Sequence, residues 1–415
     1  MKQQFIDNTH YLLFIFTLVF GVVFYDTLYL TFADELCAVA LCVLYGYYVL
    51  HTPNWSVNKF FLVTFFVFLF YLIYSLIIHS NSRAAILSDF IIQFKPYLAF
   101  FSVYALAPRF NEQMKKNLRF LSLVFAGYLF LIGVSSLFTD RILDVLLRHE
   151  SRLATAAIIM ALIYLLCGNY TQKDKVIFIA IAAISLLSGR SKAYGFFVIA
   201  AFLVLYLNKD FELKFNFKNT SLLLIVLGLT TVVAWDKINL YFIQGGFGAG
   251  RDTQDLYARM ALYYFSTSIF QDYFPFGSGF ATYATVTSGQ YYSHIYNDYG
   301  LDILYGLTEN NPKFIADTYY PALAQFGVVG VVLFFSFWII IAVKALKSFI
   351  NPINIKHFTI TMLIIAFFLI ECTSDATITH NRGIFVMMIL GLSLRQMQMT
   401  YIQSKKTVYE NTYRQ

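Results

Sequence analysis

An all-α, polytopic transmembrane bundle of about twelve helices is the fold this sequence predicts, and three observations predict it. Hydrophobic residues make up 59% of the 415 positions and charged residues 13%, about half of the roughly 25% charged content of a soluble domain. Apolar runs near the roughly 20 residues needed to cross a 30 Å hydrocarbon core recur along the chain. Basic residues are distributed unevenly between alternate connecting segments, as topology signals are.

Cutting the chain at charges and turn residues gives spans near 11–32, 35–50, 60–78, 85–107, 118–138, 153–168, 176–188, 193–207, 220–236, 319–343, 358–373 and 383–397. Several are short, so one pair could be re-entrant. The first run continues from Tyr11 to Tyr25 without an early small-residue cleavage site and is expected to be a retained helix. With the N-terminus in the cytoplasm, the inner segments hold 14 lysines and 4 arginines of the 30 basic residues. The outer set is Arg83, Arg141, Arg148, Arg152, Arg190, Arg251, Arg259 and Arg382, with only Lys192, Lys237 and Lys313. Either cation serves topology, but the planar guanidinium fork matches phosphate or carboxylate oxygens better. An anionic ligand on the outer face is the economical reading.

The whole chain, 1–415, reads as one membrane domain, with 237–318 as a large external loop between the ninth and tenth helices. The loop is rich in Tyr and Asp. Within it Leu256 to Phe270 lacks Gly and Pro and predicts a helix at the membrane surface, with Arg259 near its start. No internal repeat or low-complexity tract interrupts this organisation.

Several classes are disfavoured. The net charge of +7 comes from residues between apolar spans, so nucleic acid is a poor partner. Cys37, Cys42, Cys167 and Cys372 fall in apolar spans without metal-type spacing, so neither a disulfide framework nor a zinc site is expected. Gly245 to Gly250 reads GGFGAG with no strand before it, which argues against a nucleotide site.

The candidate residues each carry two readings. Ser188-Gly189-Arg190-Ser191-Lys192 is either an ordinary turn with snorkelling cations or an anion site at a helix start. Arg152, after Arg148-His149-Glu150-Ser151, admits the same pair. Lys95, before Pro96 in mid-span, is a functional candidate because a charge there is costly, yet structural pairing serves equally. Asp89, six residues earlier, is too distant along a straight helix to be an assured partner. Glu371, Asp375, His380 and Arg382 cluster at the outer end of the eleventh span.

The stretch Tyr257-Ala-Arg259-Met-Ala-Leu-Tyr-Tyr, followed by Pro275-Phe276-Gly277-Ser278-Gly279-Phe280, is similar to the external-loop pattern of the O-antigen ligase and polymerase superfamily. Ser188 to Lys192 resembles that family's small-residue arginine turn, and Phe326-Gly327-Val-Val-Gly330 its Gly-x-x-Gly. The resemblance covers roughly 148–385. In the ligases a His-Asn type pair precedes the Gly-x-x-Gly by about eleven residues; here that position holds Ala316 and Asp317, which favours the polymerase branch. Gly327 and Gly330 are otherwise explained by close helix packing.

The resemblance implies a GT-C-like glycosyltransferase of a bacterial inner membrane with its site on the periplasmic face. Donor and acceptor would be undecaprenyl-diphosphate-linked oligosaccharides, with a chain-length regulator as a further partner and no metal or cofactor. On this reading Arg190 and Arg259 stabilise the diphosphate leaving group, and Asp317 orients or deprotonates the acceptor hydroxyl. Arg152, Lys192, Arg382, Lys95, Tyr257 and Tyr319 would contact diphosphate or sugar. A ligase, or a flippase for the same lipid-linked sugars, uses the same residue types and stays open as an alternative.

Overall fold

The computed structural model describes residues 3–30, 32–52, 55, 58–139, 141–207, 253–349 and 354–412, with isolated positions between 221 and 231. The chain begins with α1, Gln3–Phe16, continued by a π-helical Thr17–Val23. Next come α2 Ala33–His51, α3 Asn58–Ile77, α4 Arg83–Leu106 and α5 Glu112–Ser136. A short α6, Arg141–Leu146, precedes α7 Glu150–Cys167, α8 Gln172–Ala183 with its 3-10 extension Ile184–Ser188, and α9 Ser191–Tyr206. The external segment carries α10 Thr253–Asp272 and the short α11 Val286–Gln290 and α12 His294–Asp298. A 3-10 turn, Pro321–Phe326, leads into α13 Gly327–Ser348, followed by α14 Ile355–Glu371 and α15 Asn381–Thr412.

Helix makes up 78% of the structure, and no strand occurs among the described residues. Among the described residues, seven helices are long and apolar enough to cross a membrane, by length and composition: α1 with its extension, α2, α3, α4, α5, α7 and α13 with its 3-10 lead. Helices lie at eleven of the twelve positions read from the sequence, but four of those do not meet that length and apolarity. The ninth, 220–236, lies largely outside the described residues. The first span begins earlier than the sequence indicates, at Gln3 rather than residue 11.

Burial sorts the helices. Every residue of α7 from Leu153 to Cys167 is buried, and its Ala154, Ala156, Ala157 and Ala161 let neighbouring backbones approach closely. It packs against α5 and α8, while α4 packs along α15 and against α2. By contrast α3 fully buries only Asn58, Tyr71 and Ser75; Phe60, Phe61 and Phe68 pack partly buried against the core, while Val63, Phe66, Phe70 and Ile73 are exposed, where lipid is their natural solvent. At the end of the bundle holding residues 108–117 and 169–175, short turns are capped in the ordinary way. The Asn111 side chain accepts from the Met114 amide, and Thr171 and Asp174 form a capping box.

The external segment has its own apolar core, built on Leu262, Ile269, Tyr283, Tyr296, Leu301 and Phe314. The α3–α4 hairpin clasps it through backbone groups. Tyr74 donates to the Gly277 carbonyl (2.9 Å), Ser75 accepts from the Phe280 amide (2.8 Å), and Asn81 donates to the carbonyls of Ala281 (2.8 Å) and Tyr291 (3.0 Å). Fully buried Asp89 accepts from the Ala281 amide (2.8 Å) and the Thr287 hydroxyl (3.2 Å). It therefore has a partner that the linear sequence does not suggest.

Gly277 and Gly327 show why the two glycine motifs occur together. Both have positive φ, +81° and +62°, and a Cβ added to Gly277 would lie 2.2 Å from the Gly327 amide nitrogen. The loop motif and the start of α13 thus press backbone against backbone. Gly327 serves this loop-to-helix contact instead of the helix–helix packing its motif suggests.

Candidate functional site

The predicted site residues converge because five helix ends meet at one end of the bundle: the exit of α1, the starts of α7, α9 and α15, and the exit of α14. Asp26, just beyond α1, is 3% exposed and receives two guanidinium groups. Arg152 of α7 contacts its Oδ1, and Arg382 of α15 donates to its Oδ2 at 2.8 Å and to the Val22 carbonyl at 3.0 Å. Lys192, in the first turn of α9, places its ammonium 2.7 Å from Glu371 and 3.0 Å from Asp375. Asp375 also accepts from the hydroxyls of Ser151 (2.7 Å) and Thr377 (2.8 Å).

Arg190 precedes α9 on a turn that needs Gly189 at φ +64°. Its Nε lies 3.1 Å from Glu150, and an Nη sits 2.8 Å from His149 Nε2.

The external segment reaches this end through α10. Arg259 pairs with Asp317 at 2.6 Å, and one helical turn on, Tyr263 donates to the Thr373 carbonyl at 2.8 Å. The amide of Tyr319 donates to the Cys372 carbonyl (3.2 Å). The 371–375 segment therefore carries the carboxylates that hold Lys192 and also anchors the strands of chain that carry Arg259 and Asp317.

Five cations, Arg152, Arg190, Lys192, Arg259 and Arg382, thus meet five carboxylates, Asp26, Glu150, Asp317, Glu371 and Asp375. The site is charge-compensated, and burial decides which cations an incoming anion can reach. The partners of Arg382 and Lys192 are enclosed: Asp26 is 2% and Glu371 7% exposed. Those of Arg190 and Arg259 are open, Glu150 at 48% and Asp317 at 32%. An anion can compete for Arg190 and Arg259 in a solvated setting, where an ion pair is worth about 1 kcal/mol or less. It cannot displace Asp26 or Glu371 without leaving a buried charge unpaired. Arg382 and Lys192 accordingly act as struts, with Arg152 between the two groups.

The titrating groups outside the spans reflect this enclosure. Desolvation, reinforced by the Arg190 cation, pulls the His149 imidazole down to about 4, so it is neutral at physiological pH. His380 is lowered chiefly by desolvation, against the pull of Asp375. Desolvation raises Asp375, but Lys192, His380 and the Ser151 hydroxyl outweigh it and hold the carboxyl well below the usual range. Both His149 and His380 are nonetheless exposed.

The remaining predicted residues are placed differently. Lys95 is a buried strut, 2.5 Å from Asp34 and 3.0 Å from Glu35 in the first turn of α2, with its side chain 6% exposed. Tyr319 is 4% exposed and donates to Gln93 at 3.2 Å, so it is a wall residue with no open face for a sugar. Tyr257 is 66% exposed on α10, two turns from Tyr264 at 69%; a spacing of seven puts both rings on one face. Asp317 is not a helix cap, because the next helical turn starts at Pro321 with Tyr320 as its N-cap. Sequence reasoning missed Asp26 and Asp34 as partners. Each is a single acid near a span end, with nothing local to distinguish it.

Among the described residues, no group of His, Cys, Asp and Glu is arranged to hold a metal ion. Comparison of the chain with protein families and with curated protein sequences finds no match to either.

Proposed function

We propose that this protein is a membrane glycosyltransferase that joins lipid-diphosphate-linked oligosaccharide repeat units at the end of the bundle where Arg190, Arg259 and Asp317 lie. The observation that carries the reading is the Arg259–Asp317 pair at 2.6 Å. It puts a partly exposed guanidinium and carboxylate side by side, on a segment anchored beside the Arg190–Lys192 turn through Tyr263 and Thr373. The reaction needs both charges. An acceptor hydroxyl attacks the anomeric carbon, the C–O bond to the lipid diphosphate breaks, and the hydroxyl proton passes to a base. Negative charge grows on the departing diphosphate, and cations already in place there favour the transition state over the ground state. Asp317 orients the hydroxyl or takes its proton. Tyr257 and Tyr264, exposed on the same face of α10, offer rings for sugars to stack on.

The lysine bias of alternate segments supports an outer-face site, and the resemblance to the O-antigen ligase and polymerase superfamily implies a bacterial inner membrane. Cysteine labelling tests this. Ser288 is fully buried, so the probe belongs at Ile303, which is 81% exposed. Ile303→Cys, introduced into a variant lacking Cys42, is expected to react with an impermeant thiol reagent in intact spheroplasts; labelling only after lysis reverses the assignment.

The function itself is tested by deleting the gene and separating surface polysaccharide on gels. A single repeat unit on the lipid core is the expected result, restored to long polymer by the wild-type gene. No repeat at all points to a ligase or a flippase. Complementation with Arg190→Lys or Arg259→Lys is expected to fail at normal protein levels, because lysine keeps the charge and loses the bidentate fork. Wild-type chain length from both variants removes the reason for assigning diphosphate to these arginines.

A further inference from the structure

The opposite end of the bundle carries cations of another kind. Lys344, near the end of α13, and Arg395 of α15 each lie 5.6 Å from the centroid of the Tyr104 ring, so twice that distance bounds their separation. Among the described residues neither has a carboxylate within ion-pair range, in contrast to the five compensated cations at the other end. Each is only partly exposed, and the buried Arg395 Nε has no hydrogen-bond partner. Two partly desolvated cations without a carboxylate partner, no more than twice 5.6 Å apart across one ring, are costly unless an anion joins them.

Lys344 also lies over the Phe60 ring, 4.3 Å from its centroid, and Phe60 closes one end of an apolar cavity. The cavity, about 130 Å³, runs between α3, α4 and α13 from Phe60 and Ile340 to Gln93 and Tyr319. Its lining residues Val63 (62% exposed), Ile340 (39%) and Leu333 (37%) show that it opens sideways, toward the lipid-facing surface of α3 and α13. Its volume compares with cavities that hold a single aromatic ring, so it takes part of one chain and not a whole lipid. No cation lines it, and the end near Tyr319 offers only neutral polar groups. Charge therefore decides the direction of an occupant: headgroup at Lys344 and Arg395, chain running inward from Phe60.

We propose that this groove and cation pair form a binding site for an anionic phospholipid of the leaflet opposite the glycosyl-transfer site. The proposal does not depend on that activity. Its alternative occupant, the polyprenyl chain of a lipid-linked substrate, would place its diphosphate at the other end of the cavity, where no cation lines the wall.

Native mass spectrometry of the purified full-length protein in detergent, titrated with phosphatidylglycerol, phosphatidylcholine or undecaprenyl phosphate, tests this. Wild-type protein is expected to retain phosphatidylglycerol over phosphatidylcholine by about 25-fold, taking about fivefold for each cation. Lys344→Gln with Arg395→Gln should remove that preference, and Thr64→Trp, which fills the groove, should weaken both phospholipids together. Equal retention of the two phospholipids by wild-type protein overturns the proposal whether or not the variants fold. So does a preference unchanged in the double variant, or tighter binding of undecaprenyl phosphate that is insensitive to both cations and blocked by Thr64→Trp.

Discussion

Asp317→Asn is expected to leave the protein folded and inserted in the membrane while reducing polymer formation by about 10² to 10⁴, the usual cost of losing a general base. A capping role would predict no such loss, since Asn caps a helix as well as Asp does, and Asp317 lies outside the cap position: the helical turn that follows begins at Pro321, with Tyr320 before it. Its pairing with Arg259 is partly solvated, the two side chains being 32% and 22% exposed. Breaking such a pair costs about 1 kcal/mol or less, which a folded membrane bundle tolerates. Asn keeps the shape and one accepting oxygen, so the difference between the variants isolates the charge. The readout is polysaccharide length in the complemented deletion strain, alongside the amount of protein in the membrane. Near-normal polymer from Asp317→Asn, with a defect only in Asp317→Ala, would sink the base assignment and turn attention to Glu309, Asp375 or His380. Of these Asp375 is already committed to Lys192, Ser151 and Thr377.

The largest effect on stability is expected at Lys192, which sequence reading offered as a substrate contact and the structure uses as a strut. Its side chain is 8% exposed and holds Glu371, 7% exposed, together with Asp375. Lys192→Met preserves the packing volume of the side chain but leaves two neighbouring carboxylates without a cation. Removing one partner of a buried pair costs about 3–5 kcal/mol. Thermal unfolding in detergent should show a fall of several degrees in the midpoint, partly recovered by adding Glu371→Gln, because removing both charges costs less than stranding one.

The pH dependence separates two groups of residues. Asp375 has a depressed value in the folded protein, so its contribution is complete above the ordinary carboxylate range near 4 and is lost as pH falls through its folded value. The His149 imidazole is lowered to about 4, so the unfolded chain takes up the proton first and stability declines as pH falls from about 6.5 toward 4. Wild-type protein should lose stability across that upper window, and His149→Gln should reduce the loss, the lowered His380 supplying part of the remainder. Lys192→Met should weaken the Asp375 contribution that is lost below about pH 4. An unfolding midpoint unaffected by Lys192→Met would mean that water, not protein, surrounds the triad.

Much of this molecule is legible along the chain. Hydrophobic content and span length are properties each segment carries by itself, so a helical membrane protein follows from 59% hydrophobic residues before any packing is known. The helix carrying Arg259 is read in the same way and is found at Thr253–Asp272, because an uninterrupted run without Gly or Pro needs no distant partner. The contrast between lysine and arginine marked an outer set of eight arginines and three lysines, of which the fold gathers Arg152, Arg190, Lys192, Arg259 and Arg382 at one end of the bundle. What could not be read is which acid meets which cation, and two of the acids, Asp26 and Asp34, did not stand out at all. Asp26 meets Arg152 and Arg382 across 126 and 356 residues, and Lys95 finds Asp34 rather than its neighbour Asp89. These pairings come from which helix ends share a face of the bundle, and no local pattern encodes that. Burial decided the roles as well. A lysine and an arginine adjacent in a turn look alike in sequence, but Lys192 is enclosed between two carboxylates while Arg190 faces an open one, so only the second can exchange its partner for a ligand.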